Sequence, residues 1–400
     1  ITENKGILTL TANLNHAKMS PTLVSLDLSG TATLIDDYLI SSIYKFGKFS
    51  GSGESGNLNG TASEAQFDGL YYINDNLDGS LIVATYGTVR NVSPTGTVTN
   101  LLDNVNFAGQ SVVLASGVIY LNQQGTIWKI DPSKDKESTG FKEKFLTNLG
   151  EVSGLAISAA GDVYYSLVWD HEVHKVTVDS EGNKTDTILI EGTNGPSNES
   201  YDEEKGMYIN PLGDNSKTNA IHPGRLLFDD AKNLLYITTS FREWCDDCNW
   251  GGPKVIDFNN NTVSDWEWLN QTYSTIQQSR GFNSRVAWRG MDMDSDGNLF
   301  FTVPTANAVV KVSFNADTGL PYMASDIKNP SPNADSTKER NTWFDEPHDI
   351  SIVGDIAYVL SSGSNRIDKL NLGAVIAIPA DQQSVSVEFN TFKDPWFEED

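Results

Sequence analysis

The chain has 400 residues, with 28 basic against 53 acidic side chains and a formal net charge of -25. A chain this acidic, with no run of Lys and Arg, lacks the means to neutralise phosphates, which argues against nucleic acid as a partner. Its 38% hydrophobic and 10% aromatic residues suffice for a packed interior rather than disorder, and no apolar run approaches the roughly 18 residues of a membrane span.

The chain begins at Ile1 rather than Met, as expected of a protein whose leader has been removed. Residues 1–48 hold two strand-like runs, one starting at Ile7 and one at Thr22. A glycine-rich stretch from Gly51 to Gly60 follows. It precedes a strand and lacks the Lys of a phosphate-binding loop, so it reads as a linker.

From Phe67 onward one hairpin pattern recurs. A small or apolar strand leads to an Asp/Gly turn, a second strand ends in aromatics, and a short strand with Lys or Arg follows a loop. Six copies align, with first strands starting near Asp68-Gly-Leu, Ser111-Val-Val, Ser153-Gly-Leu, Pro223-Gly-Arg, Arg289-Gly-Met and Pro347-His-Asp. Residues 388–400 form an acidic tail. One such unit cannot bury both faces of its sheet, whereas copies arranged radially as propeller blades can. The expected fold is therefore all-β: a single β-propeller domain over residues 1–400 with four-stranded antiparallel blades. Seven blades are favoured, with residues 1–48 supplying the seventh, and six are the alternative, with that segment completing the last blade.

At these residues the chain resembles the NHL-repeat family of propellers. The closest likeness is the run from Gly51 to Phe67, similar to the family's link into the next innermost strand. Asp296-Gly-Asn-Leu and Asn365-Arg-Ile-Asp-Lys fit as well. The resemblance implies architecture rather than activity, because such folds host many functions. It also implies that ligands bind where entry loops and second-to-third-strand loops converge over the central channel.

Those loops are rich in large polar and aromatic groups. Trp169, Arg242, Trp244 and Trp250 follow second strands, while Arg285, Trp288, Arg289 and His348 lie where innermost strands begin. Arg binds carboxylate and phosphate bidentately and Trp supplies flat apolar area. These eight residues form the candidate ligand-binding face, for a small anionic molecule, a glycan or a protein segment. Trp at a strand start also serves simply to plug a channel. Asp292, Asp294 and Asp296 match the start of a calcium loop, so calcium is the cofactor considered. Val303 stands where the loop's last acid belongs, and Asp-Gly is equally a hairpin turn.

Cys245 and Cys248 lack the second pair that a zinc ribbon needs. A disulfide pinning a long loop is expected, which favours an extracellular, cell-surface or periplasmic setting. Two functions stay open. One is a non-enzymatic ligand-binding propeller. The other resembles the gluconolactonase-like and peptidylglycine-lyase-like propellers, which hold a metal at the channel mouth; Glu346, His348, His222 and Asp170 are the candidate positions for it.

Overall fold

The computed structural model describes residues 7–13, 22–26, 32–34, 46–105, 108–191, 200–202, 207–212, 222–239, 252–279, 286–315, 317–328, 344–372, 374–378 and 384–391. Their strands build six antiparallel blades, in each of which the three innermost strands follow chain order from the channel outward. The innermost strands are Leu70–Asp75, Ala108–Val113, Val152–Ile157, Pro223–Asp229, Met291–Met293 and Pro347–Val353. Five blades have four strands. The fourth adds two outer strands, Met207–Pro211 and Ser200–Asp202.

The favoured count of seven is corrected to six. The N-terminal strands Ile7–Asn13 and Ala32–Leu34 flank the C-terminal strand Ser384–Thr391, and Thr22–Leu26 pairs with Ala374–Ile378. A blade needs consecutive strands in one sheet, and these strands pair with the other end of the chain instead. The alternative role is filled by Phe46–Ser50, which pairs with Arg366–Asn371 as the outer strand of the sixth blade. That blade is thus built from both ends of the sequence, which closes the ring.

Six hydrophobic clusters form the core, one between each pair of adjacent blades. The second strand of a blade is covered on both faces, so its side chains are buried almost without a break in Leu81–Thr85, Val163–Leu167 and Leu299–Val303. This is why these runs read as continuous apolar stretches rather than alternating ones.

Among the described residues one α-helix occurs, Glu267–Ser279, inserted before the fifth blade. Leu269 and Tyr273, one turn apart, are fully buried beside Trp266 and Trp288. Leu269 and Tyr273 give its sequence only a short apolar stripe.

A recurring hydroxyl locks successive blades. The innermost strands of the third, fourth and sixth blades have a register shift near their starts. Ser166 Oγ accepts from Gly154 N (2.7 Å) and donates to Gly224 O of the next blade (2.8 Å). Thr238 Oγ1 accepts from Arg225 N and donates to Arg289 O, at 2.8 and 3.1 Å. Thr302 Oγ1 accepts from Gly290 N and donates to His348 O, at 2.7 and 3.2 Å. Glycine is required at Gly290, where an added Cβ would lie 2.5 Å from the Asp349 Cα. Thr302→Val should strand a buried N–H and carbonyl and cost about 1–3 kcal/mol. Urea unfolding checks this as a lowered midpoint at constant slope, with Thr302→Ser retaining most of the stability.

Candidate functional site

Antiparallel blades present two different ends. The segments entering innermost strands and the turns between second and third strands emerge at one end, called here the mouth. The other turns emerge at the opposite end.

Beneath the mouth the channel is filled by a polar network. Arg225, on the fourth innermost strand, donates from Nε to Met291 O (2.9 Å) and from Nη2 to Ile73 O (3.1 Å) and Asn74 Oδ1 (3.2 Å). Its Nη1 pairs with Asp349, whose Oδ2 also accepts from Ile73 N at 2.8 Å. Asp292 accepts from Ile352 N at 2.7 Å, across to the sixth blade. Gln110 accepts from Leu155 N and donates to Leu226 O. Burial raises the Asp349 and Asp292 carboxyls, and Arg225 opposes both shifts. The partners of Arg225 lie further along their strands than Arg289, Tyr71 and His348, so the network floors the mouth.

At the rim two clusters form. In the first, Arg289 Nη1 meets the imidazole of His348, and the His348 ring lies edge-on to Tyr71 at 6.2 Å. Burial, then the Arg289 charge, pushes His348 down to about 3, against a hydrogen bond to the Tyr71 backbone. A neutral imidazole can accept from the guanidinium. Burial raises the Tyr72 hydroxyl, opposed first by Ser153 of the third blade.

The second cluster lies between the third and fourth blades. His222 N donates to His171 Nδ1 (3.1 Å), the two rings are 4.7 Å apart, and His222 Nδ1 donates to Val168 O (2.9 Å). Trp169 stands edge-on to His222 at 5.2 Å and donates from Nε1 to Glu151 at 2.7 Å. It remains 42% exposed. Burial lowers His171, helped by His222 and opposed by Asp170.

The structure therefore brings Trp169, Arg289 and His348 to the mouth. Trp288 is a correction: it is fully buried and packs on Tyr273 and Phe301. Arg242, Trp244, Trp250, Arg285, Cys245 and Cys248 lie outside the described residues. Asp292, Asp294 and Asp296 do not converge. Asp292 turns into the channel, while Asp294 accepts from Asp296 N and Asn298 N as the cap of a hairpin turn. The lyase-like set does not converge either, with Asp170 turned against Gly150. Among the described residues no group of three or more His, Cys, Asp or Glu is arranged to hold a metal ion. Arg225, Asp349, Tyr72 and Gln110 were missed as a group. For Arg225 and Gln110 the available signal was a charged or amide side chain directly after a glycine of an innermost strand.

No family model matches the chain, and no curated protein matches it. Solved structures do resemble it. A structural-genomics protein of unknown function from Bacteroides thetaiotaomicron VPI-5482 is 14% identical, covering 83% of this chain and 76% of that one, with a TM-score of 0.54. An auxiliary nutrient binding protein from the same organism is 10% identical over 82% and 76%, with a TM-score of 0.53. Another from Bacteroides ovatus ATCC 8483 is 10% identical over 82% and 77%, with a TM-score of 0.50. What they share is the β-propeller fold. Among the described residues no helix is long and apolar enough to cross a membrane.

The His348 shift has a signed consequence. Its folded value lies below the ordinary histidine value, so between about pH 6.5 and pH 3 the unfolded chain binds the extra proton. The stability this neutral ring contributes is present above pH 6.5 and is lost as pH falls. The stability of the wild type relative to His348→Gln should accordingly shrink between pH 7 and pH 4, as read by denaturant unfolding. A His348 ring resonance titrating near 6.5 would contradict the assignment.

Proposed function

We propose that this propeller is a non-enzymatic ligand-binding protein of the cell surface or periplasm, holding a nutrient-class glycan or other small anionic ligand at the channel mouth. The observation that carries the reading is Trp169: an indole 42% exposed yet fixed by Glu151 and edge-on to His222. A rigid exposed ring offers apolar contact at little ordering cost. Arg289, aimed by neutral His348, supplies the anion-recognising group. The polar floor under the mouth makes it blind, which suits capture rather than passage.

Two folds similar to this one are described as auxiliary nutrient binding proteins, which supports both the class and an export setting. A Cys245–Cys248 disulfide in the loop following the second strand of the fourth blade belongs to the same reading.

The test is a panel of neutral and acidic oligosaccharides applied to the intact protein. Saturable binding to one class is expected, weakened by about 2 kcal/mol, roughly thirtyfold, in Trp169→Ala. Undiminished binding by that variant, or no binding to any member of the panel, sinks the proposal.

A further inference from the structure

The face opposite the mouth carries a feature that the charge of the chain does not lead one to expect. A cavity of about 360 Å³ opens between the second and third blades, lined by Tyr120, Lys129, Glu143, Lys144, Phe145 and Lys184, with Gly161 and Val178 at its edge. Gly161 belongs to a first-to-second-strand turn, while Val178 and Lys184 flank a third-to-fourth-strand turn, so the cavity lies at the end away from the mouth.

Two of the lysines are placed by strand register. Lys129 sits opposite Tyr120 on one side and Glu143 on the other, and Lys184 opposite Val178. Neither Lys129 nor Lys184 has an ion-pair partner among the described residues. By contrast Lys134, Lys175, Lys232 and Lys254 all do. The Lys184 ammonium instead lies 4.7 Å over the Phe145 ring, which meets Tyr120 edge-on at 5.1 Å. Val178 is 42% exposed. The groove thus holds two ammoniums, Lys129 and Lys184, and one carboxylate, Glu143, around an aromatic floor in a protein of net charge -25, while the Lys144 ammonium turns to the other face of its strand, 5.7 Å over Trp128.

We propose that this groove is a second ligand site, distinct from the mouth and independent of the reading given for it, and that it takes a small acidic sugar carrying a carboxylate or sulfate. The lysines recognise the acid group. Phe145 and Val178 contact the apolar face of the ring. Glu143 accepts hydrogen bonds from ring hydroxyls, a group that a simple inorganic anion lacks. The volume is that of a small-molecule site rather than a docking surface. At physiological ionic strength charges beyond about 8 Å are screened, so the local ammoniums outweigh the distant acidic surface.

The experiment is calorimetric titration of the full chain with D-glucuronate, a sulfated monosaccharide, glucose, succinate and sulfate. Either acidic sugar should bind saturably, and the arm that binds identifies the acid group. Lys129→Glu/Lys184→Glu should lose about tenfold or more in affinity, the scale of lost charge-assisted contacts. The charge-matched control Lys134→Glu/Lys136→Glu should lose little, and circular dichroism and thermal melting should show both variants folded. Equal binding of succinate or sulfate, equal loss in both variants, or no binding of either acidic sugar overturns the proposal.

Discussion

A guanidinium buried on the axis of the ring sets the terms for the rest of this molecule. Arg225 reaches from the fourth blade to Met291 of the fifth, Asp349 of the sixth and Ile73 and Asn74 of the first. A charge so placed is costly unless every donor is met. The structure meets Nε, Nη1 and Nη2 together, using groups up to 152 positions apart in sequence. These partners coexist only when the ring has closed, so the network demands the circular arrangement that Phe46–Ser50 completes at the periphery. Removing Asp349 would leave the guanidinium buried without its counter-charge, which is why the pair specifies this closure rather than merely adding to its stability.

Closure of the axis also decides where a ligand can sit. With the channel floored by charged groups bound to backbone, the mouth is a cup. Its rim is made of residues that the blade repeat leaves unspecified. The repeat fixes second strands as buried on both faces, and it fixes Ser166, Thr238 and Thr302 as bridges between blades. Neither demand fixes an exposed rim side chain such as Trp169. Variation there alters the surface without cost to the stack.

That division explains what the sequence disclosed. Recurring hairpins revealed the propeller because blade packing imposes the same buried second strand six times. The number of blades stayed open because strand-like runs at Ile7 and Thr22 do not state their partners; they pair with the C-terminal strands through contacts that no local pattern encodes. Trp288 was legible as a residue at a strand start but not as buried, because the helix covering it comes from an insertion outside the repeat. The aspartates from Asp292 to Asp296 looked like a metal loop because hairpin turns use Asp for the same reason: a carboxylate accepts successive backbone N–H groups. Arg225 was invisible as a site residue because its partners come from three other blades.

The left-handed positions mark where the symmetry is broken. Before the third strand the fifth and sixth blades use Asn307 and Asn365, and the first uses Gly87, all at positive φ. Asn and Gly tolerate this conformation at low cost. The third blade places His171 there, at φ 58, and the fourth places His222 at its entry, at φ 53, where the first has Gly69. Each histidine accepts a conformation that Asn or Gly would adopt more easily, so stability alone does not select them. What they gain is mutual contact: the His222 N–H meets His171 Nδ1, and Trp169 stands against the His222 ring. Strain held in a sparsely occupied backbone region points to function when its side chains converge. Here they converge at the rim of a blind cup, beside the one exposed indole among the described residues.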